Sequence, residues 1–193
     1  MNALLIKNAH IVNEGTIKVQ DVLIKGQRIE RIDSHIEATP AMQIIDAKGK
    51  YLLPGAIDDQ VHFREPGLTH KASIQTESRA AVAGGVTTFM EMPNTVPAAL
   101  TQDLLEQKYA IASACSPANY SFFMGVSNDN VEEVLKINKK KKDICGIKIF
   151  MGSSTGNMLV DNYTVLHKIF RSEERRVGKE CSEPCRSRWS PYH

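Results

Sequence analysis

The stretch GAIDDQVHFREPGLTHKASIQTESRAAVAGGVTTFMEMP, residues 55–93, decides the fold. It opens as a strand, GAIDDQVHF. It passes into HKASIQTESRAAVAGG, where Ile74, Ser78, Ala81 and Val82 fall on one side at helical spacing and Gly84-Gly85 end the run. VTTFMEMP is again a strand. The pattern then repeats. TQDLLEQKYAIASAC is a helix with Thr101 as N-cap, and YSFFMGV is a strand. DNVEEVLKINKK is a helix starting at Asn128 or Asp129, ICGIKIFMG is a strand, and DNYTVLHKIF opens a fourth helix. Strands alternating with helices predict an α/β fold with a parallel sheet and helices outside it, either open or closed into a barrel.

Upstream, residues 1–53 read differently. LLIKNAHIV, DVLIKGQRIERID and MQIIDAKGKYLL are rich in Ile, Val and Leu and are broken by Gly and polar turns, which predicts a small β unit. KGQR reads as a hairpin turn with Gly26 at positive φ. Downstream of residue 170 the periodicity stops. RSEERRVGKECSEPCRSRWSPYH has Val177 as its one aliphatic residue and crowds Arg with Glu. Residues 171–193 therefore read as a non-native or disordered tail, and its Cys181 and Cys185 as no metal site. The expected division is 1–53, 54–170 and 171–193.

Composition narrows the partners. The 193 residues carry a formal net charge of +2, 42% hydrophobic and 6% aromatic residues, which is ordinary for a soluble globular protein. Neither nucleic acid nor an anionic membrane is an expected partner. The basic run at 139–142 reads as the solvated end of a helix. No apolar stretch approaches the roughly 20 residues of a membrane span, and MNALLIKNAHIV is too short in its apolar core for a signal peptide. The four cysteines form no paired framework, so a cytoplasmic, reducing location is expected.

Three positions stand out chemically. Residues 60, 62 and 64 share a strand face near the C-terminal strand end, where α/β folds place their sites. His62 there is either a metal-ligating imidazole or a hydrogen-bonded loop residue. Arg64 suits bidentate capture of a carboxylate, or forms a surface salt bridge. Lys148 faces inward with Phe150, since Ile147, Ile149 and Met151 share the face suited to covering helices. A buried lysine is costly unless paired or neutral. A neutral amine can add carbon dioxide to form a carbamate ligand; alternatively the ammonium reaches solvent at the strand end. Asn94, after Met90 and Met92 on one face, either binds a small polar ligand or closes a turn after Pro93. GSSTG, residues 152–156, lacks the ending of a P-loop and reads as a turn.

Together PGAIDDQVHFREPG, AGGVTTFMEMPNT and GIKIFMGSSTG resemble three motifs of the cyclic amidohydrolases, most closely dihydroorotase, over residues 1 to about 170. The resemblance implies the first half of a TIM-type (β/α) barrel preceded by a small N-terminal β unit. It also implies zinc, one or two ions in a full-length parent, with His62 a ligand and Lys148 a carboxylated bridge. Arg64 and Asn94 would hold the carboxylate of dihydroorotate, a small-molecule substrate hydrolysed reversibly to carbamoyl-aspartate in pyrimidine biosynthesis. Oligomeric state is left open. Sister activities of the dihydropyrimidinase or allantoinase type, and a non-catalytic assembly role, are the rival expectations.

Two departures matter. Gln60 stands where the family usually has the first histidine of His-x-His, and an amide oxygen is the weaker zinc donor. A barrel takes eight strands and about 250 residues, whereas four strands are counted here. The strand-end Asp that would shuttle the proton has no counterpart, so no catalytic residue is assigned. The 193 residues alone are expected to be an inactive fragment without a stable metal site.

Overall fold

The computed structural model describes residues 3–137, 144–152 and 157–174. The expectations for the run at 139–142, for 153–156 within GSSTG, and for the tail beyond residue 174 lie outside the described residues. Two compact units divide the chain, Met1–Gly55 and Ala56–His193.

The first unit is all β. Strands β1 (Ala3–Asn13), β2 (Thr16–Lys25), β3 (Arg28–Asp33) and β4 (Met42–Asp46) run in the sheet order β3-β2-β1-β4, and β5 (Tyr51–Leu52) also pairs with β1. The β2–β3 hairpin turns at Gly26, whose φ of 60° favours glycine. Leu5, Leu23 and Ile36 form its buried core. Asp21 is a buried carboxylate that pattern reading passed over. Burial pushes its pKa up, but the amides of Asn8 and Ile36 and the charges of Lys7 and His35 outweigh that and hold it below the usual range.

The second unit is a curled parallel sheet, β6 (Ala56–Val61), β7 (Val86–Glu91), β8 (Asn119–Gly125) and β9 (Gly146–Lys148), in chain order. This is the first half of a TIM-type (β/α) barrel. Helices α1 (Ile74–Ala83), α2 (Gln102–Cys115), α3 (Val131–Lys136) and α4 (Tyr163–Glu174) follow the strands in turn. Phe63, Ile74, Phe89, Leu105, Ala112 and Phe122 make one core between sheet and helices. Met124, Val126, Val134, Ile137, Val160 and Ile169 make a second. Among the described residues no helix is long and apolar enough to cross a membrane.

Several boundaries differ from the sequence reading, each for a local reason. Helix α1 begins at Ile74 because Ser73 caps it; the Ser73 and Thr76 side chains each bond the other's backbone amide. Val82 lies exposed rather than on the buried stripe. Helix α3 begins at Val131, after Asn130, whose side chain makes no cap bond to the helix; its Oδ1 instead accepts from the Ser127 backbone amide at 2.8 Å. Met151 is 65% exposed and does not join Ile147 and Ile149 against the helices. Helix α4 runs through Glu174, past the expected break at residue 170. The Ser73 cap generates a simple expectation. Ser73→Ala removes the side-chain acceptor and costs about 1 kcal/mol, read as a thermal midpoint lower by roughly 2–4 °C.

Candidate functional site

The candidate site grows from the C-terminal ends of β6 and β7. Val61 and Phe63 pack into the core on the helix side of β6, so His62 between them takes the opposite, inner side. The β6–β7 register slips between Asp58 and Val61, a bulge that inserts one residue beside Gln60. Gln60 is exposed, and its amide donates to Asp58 Oδ1 at 3.1 Å. Strand pairing ends at Val61, so Arg64 does not share the strand face as expected. Its φ is 69°, a left-handed conformation that is unfavourable for a non-glycine residue. The chain turns there, with the Leu68 amide donating to Arg64 O.

His62 and Asn94 meet directly. His62 Nδ1 lies 2.9 Å from Asn94 Oδ1. With the amide oxygen as acceptor, Nδ1 is the donor of this bond, and Nε2 is the ring nitrogen turned away from Asn94. That is the arrangement in which a second partner orients a metal-ligating imidazole. The Asn94 Nδ2 group remains as a donor. Arg64 forms no ion pair among the described residues, unlike the salt-bridge alternative.

The loops carrying these side chains are stitched together. The Val96 amide donates to Pro66 O at 3.1 Å, and the Met92 amide donates to Val61 O at 3.0 Å. Glu65 Oε2 accepts from the Ile74 amide at 2.7 Å, which anchors the first loop at the start of α1. Gly67, at φ 81°, lies so close to the second loop that a Cβ there would sit 1.9 Å from Val96 O.

Lys148 is elsewhere. It pairs with Gly125 at the far edge of the sheet, while Ile147 packs on the helix side. Its Nζ sits 5.1 Å from the Phe150 ring centre, so the two share the inner side as expected. β6 and β9 are the outer strands, three interstrand steps or roughly 14 Å apart along the sheet, and they face each other only through its curl. Accordingly, no group of three or more His, Cys, Asp or Glu able to hold a metal ion occurs among the described residues. His62 Nε2 fits a zinc donor, and Lys148 fits only after carboxylation. Two donors do not close a four-coordinate shell.

A second feature escaped the sequence reading. Glu91 and Lys108 form an ion pair at 2.9 Å, with side chains 0% and 1% exposed. Burial pushes the Glu91 carboxyl up against the pull of Lys108, and pushes the Lys108 ammonium down against the pull of Glu91. The Phe63 and Arg64 amides lie near enough to stabilise the carboxylate, but outside hydrogen-bond geometry. Lys108 was legible as an anomaly, since Leu105, Lys108 and Ala112 form one buried helical stripe.

Two expectations follow. Gly67→Ala forces the loops apart at a cost of about 1–3 kcal/mol, and limited trypsin digestion after Arg64 accelerates relative to the parent. Cys145, just before β9, is excluded as a nucleophile, because burial raises its thiol from 9.0 to about 11. Folding retains that proton more tightly, so the contribution to stability is full below pH 9.0 and is lost as pH rises to about 11. Alkylation of Cys145 at pH 8 should run about 100-fold slower than that of a thiol at its ordinary 9.0, in proportion to the thiolate present.

A dihydro-orotase-like family model matches residues 49–145, half of the chain. The dihydroorotase of Methanosarcina acetivorans is 34% identical over 159 residues, covering 82% of this chain and 34% of that protein. The dihydroorotase of Staphylococcus epidermidis is 47% identical over 94 residues, covering 48% of this chain and 22% of that protein. Among solved structures, an L-hydantoinase (dihydropyrimidinase) from Arthrobacter aurescens superposes with a TM-score of 0.81 at 27% identity, over 89% of this chain and 38% of that one. A D-hydantoinase (dihydropyrimidinase) from a Thermus species gives 0.74 at 32% identity, with the same coverages. The chain thus spans about a third or less of the length of these curated relatives. With its βα half-barrel and a family match that runs through His62, Arg64 and Asn94, the chain belongs to the dihydroorotase-like family of cyclic amidohydrolases.

Proposed function

We propose that this chain carries the substrate-carboxylate half of a dihydroorotase site, with Arg64 and Asn94 gripping the carboxylate and His62 and Lys148 supplying metal donors. The observation that carries the reading is the His62–Asn94 hydrogen bond. It leaves the Asn94 N–H₂ as a donor and turns His62 Nε2 away from Asn94, and two residues beyond His62 comes a guanidinium that no carboxylate of the described residues engages. A ligand with a carboxylate on one side and a hydrolysable ring amide on the other answers that set.

The roles divide by chemistry. Arg64 offers a fork of donors and a full charge to the carboxylate. Asn94 Nδ2 adds a neutral donor and, through Oδ1, keeps the His62 proton on Nδ1. Zinc, when bound, polarises the scissile carbonyl and lowers the pKa of water. His62 Nε2 would be one donor to it and carboxylated Lys148 another. Gln60 would offer an amide oxygen in place of an imidazole, a weaker donor that favours one ion over two. The remaining donors and the proton-shuttling carboxylate of a working site are not found among the described residues, so the 193-residue chain is proposed to bind rather than turn over.

The rival reading, a hydantoin- or dihydropyrimidine-type substrate, takes support from the hydantoinase structures. Those ring amides need no carboxylate clamp, so ligand binding separates the two. The 193-residue chain, labelled on its Arg and Asn side chains, is titrated with dihydroorotate and with dihydrouracil and followed by NMR. Dihydroorotate is expected to shift the Arg64 and Asn94 signals, and Arg64→Ala to weaken binding about 10- to 100-fold, equivalent to losing a charge-assisted bond of about 1.5–3 kcal/mol. Equal response to dihydrouracil would favour the rival reading.

A further inference from the structure

The buried Glu91–Lys108 pair lies on the helix side of β7, away from the inner side that carries His62, and no step of the proposed chemistry uses it. Its bonds nevertheless converge on the site. Lys108 Nζ donates to Met92 O at 3.1 Å and sits 5.0 Å from the Phe122 ring centre. The Met92 amide donates to Val61 O. The Met92 residue is therefore held from both sides: its N–H by the residue before His62, and its C=O by the helix α2 lysine. Two residues further along is Asn94, which bonds His62. Pro93, between them, has no N–H and a fixed φ, so it transmits the orientation set at Met92. Glu91 holds the ammonium in place and lies beside the Phe63 and Arg64 amides of the other loop.

We propose that Glu91 and Lys108 are positioning residues, which set the angle at which Asn94 meets His62 and thereby fix the imidazole with Nε2 unprotonated toward the inner side. A simpler role would be cohesion alone. The two roles differ in a measurable way, because an apolar pair of similar volume can replace a buried ion pair without loss of stability, yet cannot donate to Met92 O. The inference rests on the proposed function only for the importance of His62. Its test needs no substrate, so failure of dihydroorotate binding and failure of this inference are separate results.

The test compares the 193-residue chain with its Lys108→Met and Glu91→Met/Lys108→Met forms. Thermal midpoints are recorded beside ring ¹⁵N spectra of His62 at about pH 8, where an ordinary histidine is neutral; a His62→Gln form assigns the signals. Lys108→Met alone strands a buried carboxylate and should lower the midpoint by about 10 °C. The double form should recover the midpoint but lose the single Nδ1–H tautomer, both tautomers becoming populated. Recovery of the midpoint together with the parent tautomer would overturn the proposal and leave cohesion as the pair's role. If that pair does not fold, Glu91→Gln/Lys108→Leu, which likewise offers Met92 O no donor from position 108, is scored by the same tautomer criterion.

Discussion

Everything proposed for this site depends on the ends of β6 and β7 behaving as one object. Each strand stops one to three residues before His62, Arg64 and Asn94, so regular pairing does not place them. Backbone bonds from Met92 to Val61 and from Val96 to Pro66 do so instead, with Gly67 allowing an approach that no Cβ would permit. An unpaired backbone group in such a place would cost as much as a lost hydrogen bond. Loop geometry is therefore held by obligatory bonds rather than by side-chain packing alone, and the unfavourable φ of Arg64 is sustained within it.

Much of the architecture was legible because period and punctuation agree. The strand–helix–strand pattern of 55–93, the Thr101 cap, the Gly26 turn and the opposed faces of Ile147 and Lys148 follow from side-chain alternation and from capping chemistry. The site was legible as a list of residues but not as a geometry. Alternation predicted Gln60, His62 and Arg64 on one face; a bulge and a left-handed residue break that rule at both ends. The His62–Asn94 bond spans 32 positions and has no local signature. Glu91 was hidden for a different reason: within FMEMP it looks like the solvated partner of an apolar strand, and only the lysine on the buried stripe of α2 explains its burial.

The sheet order also explains why the metal question divides in two. His62 stands at one edge and Lys148 at the other, so the two proposed donors lie on two sides of the sheet's curl rather than in a closed shell. Histidine orientation is already set by Asn94. Lysine carboxylation, by contrast, needs an uncharged amine and a cation to retain the carbamate, and neither is supplied by strand geometry alone. Gln60 stands at the position of the first histidine of the resembling motif, and an amide oxygen there would be a weaker donor than an imidazole.

The central claim is that the two strand-end loops are a single rigid unit that orients His62. Native-state amide hydrogen exchange on the 193-residue chain tests it most directly, because opening free energies identify which segments unfold together. Met92 and Val96, whose amides bond Val61 and Pro66 across the gap, should exchange slowly and share one opening free energy with the Leu68 and Ile74 amides on the other side. Fast and independent exchange of the two groups would show separate loops, and would contradict the account.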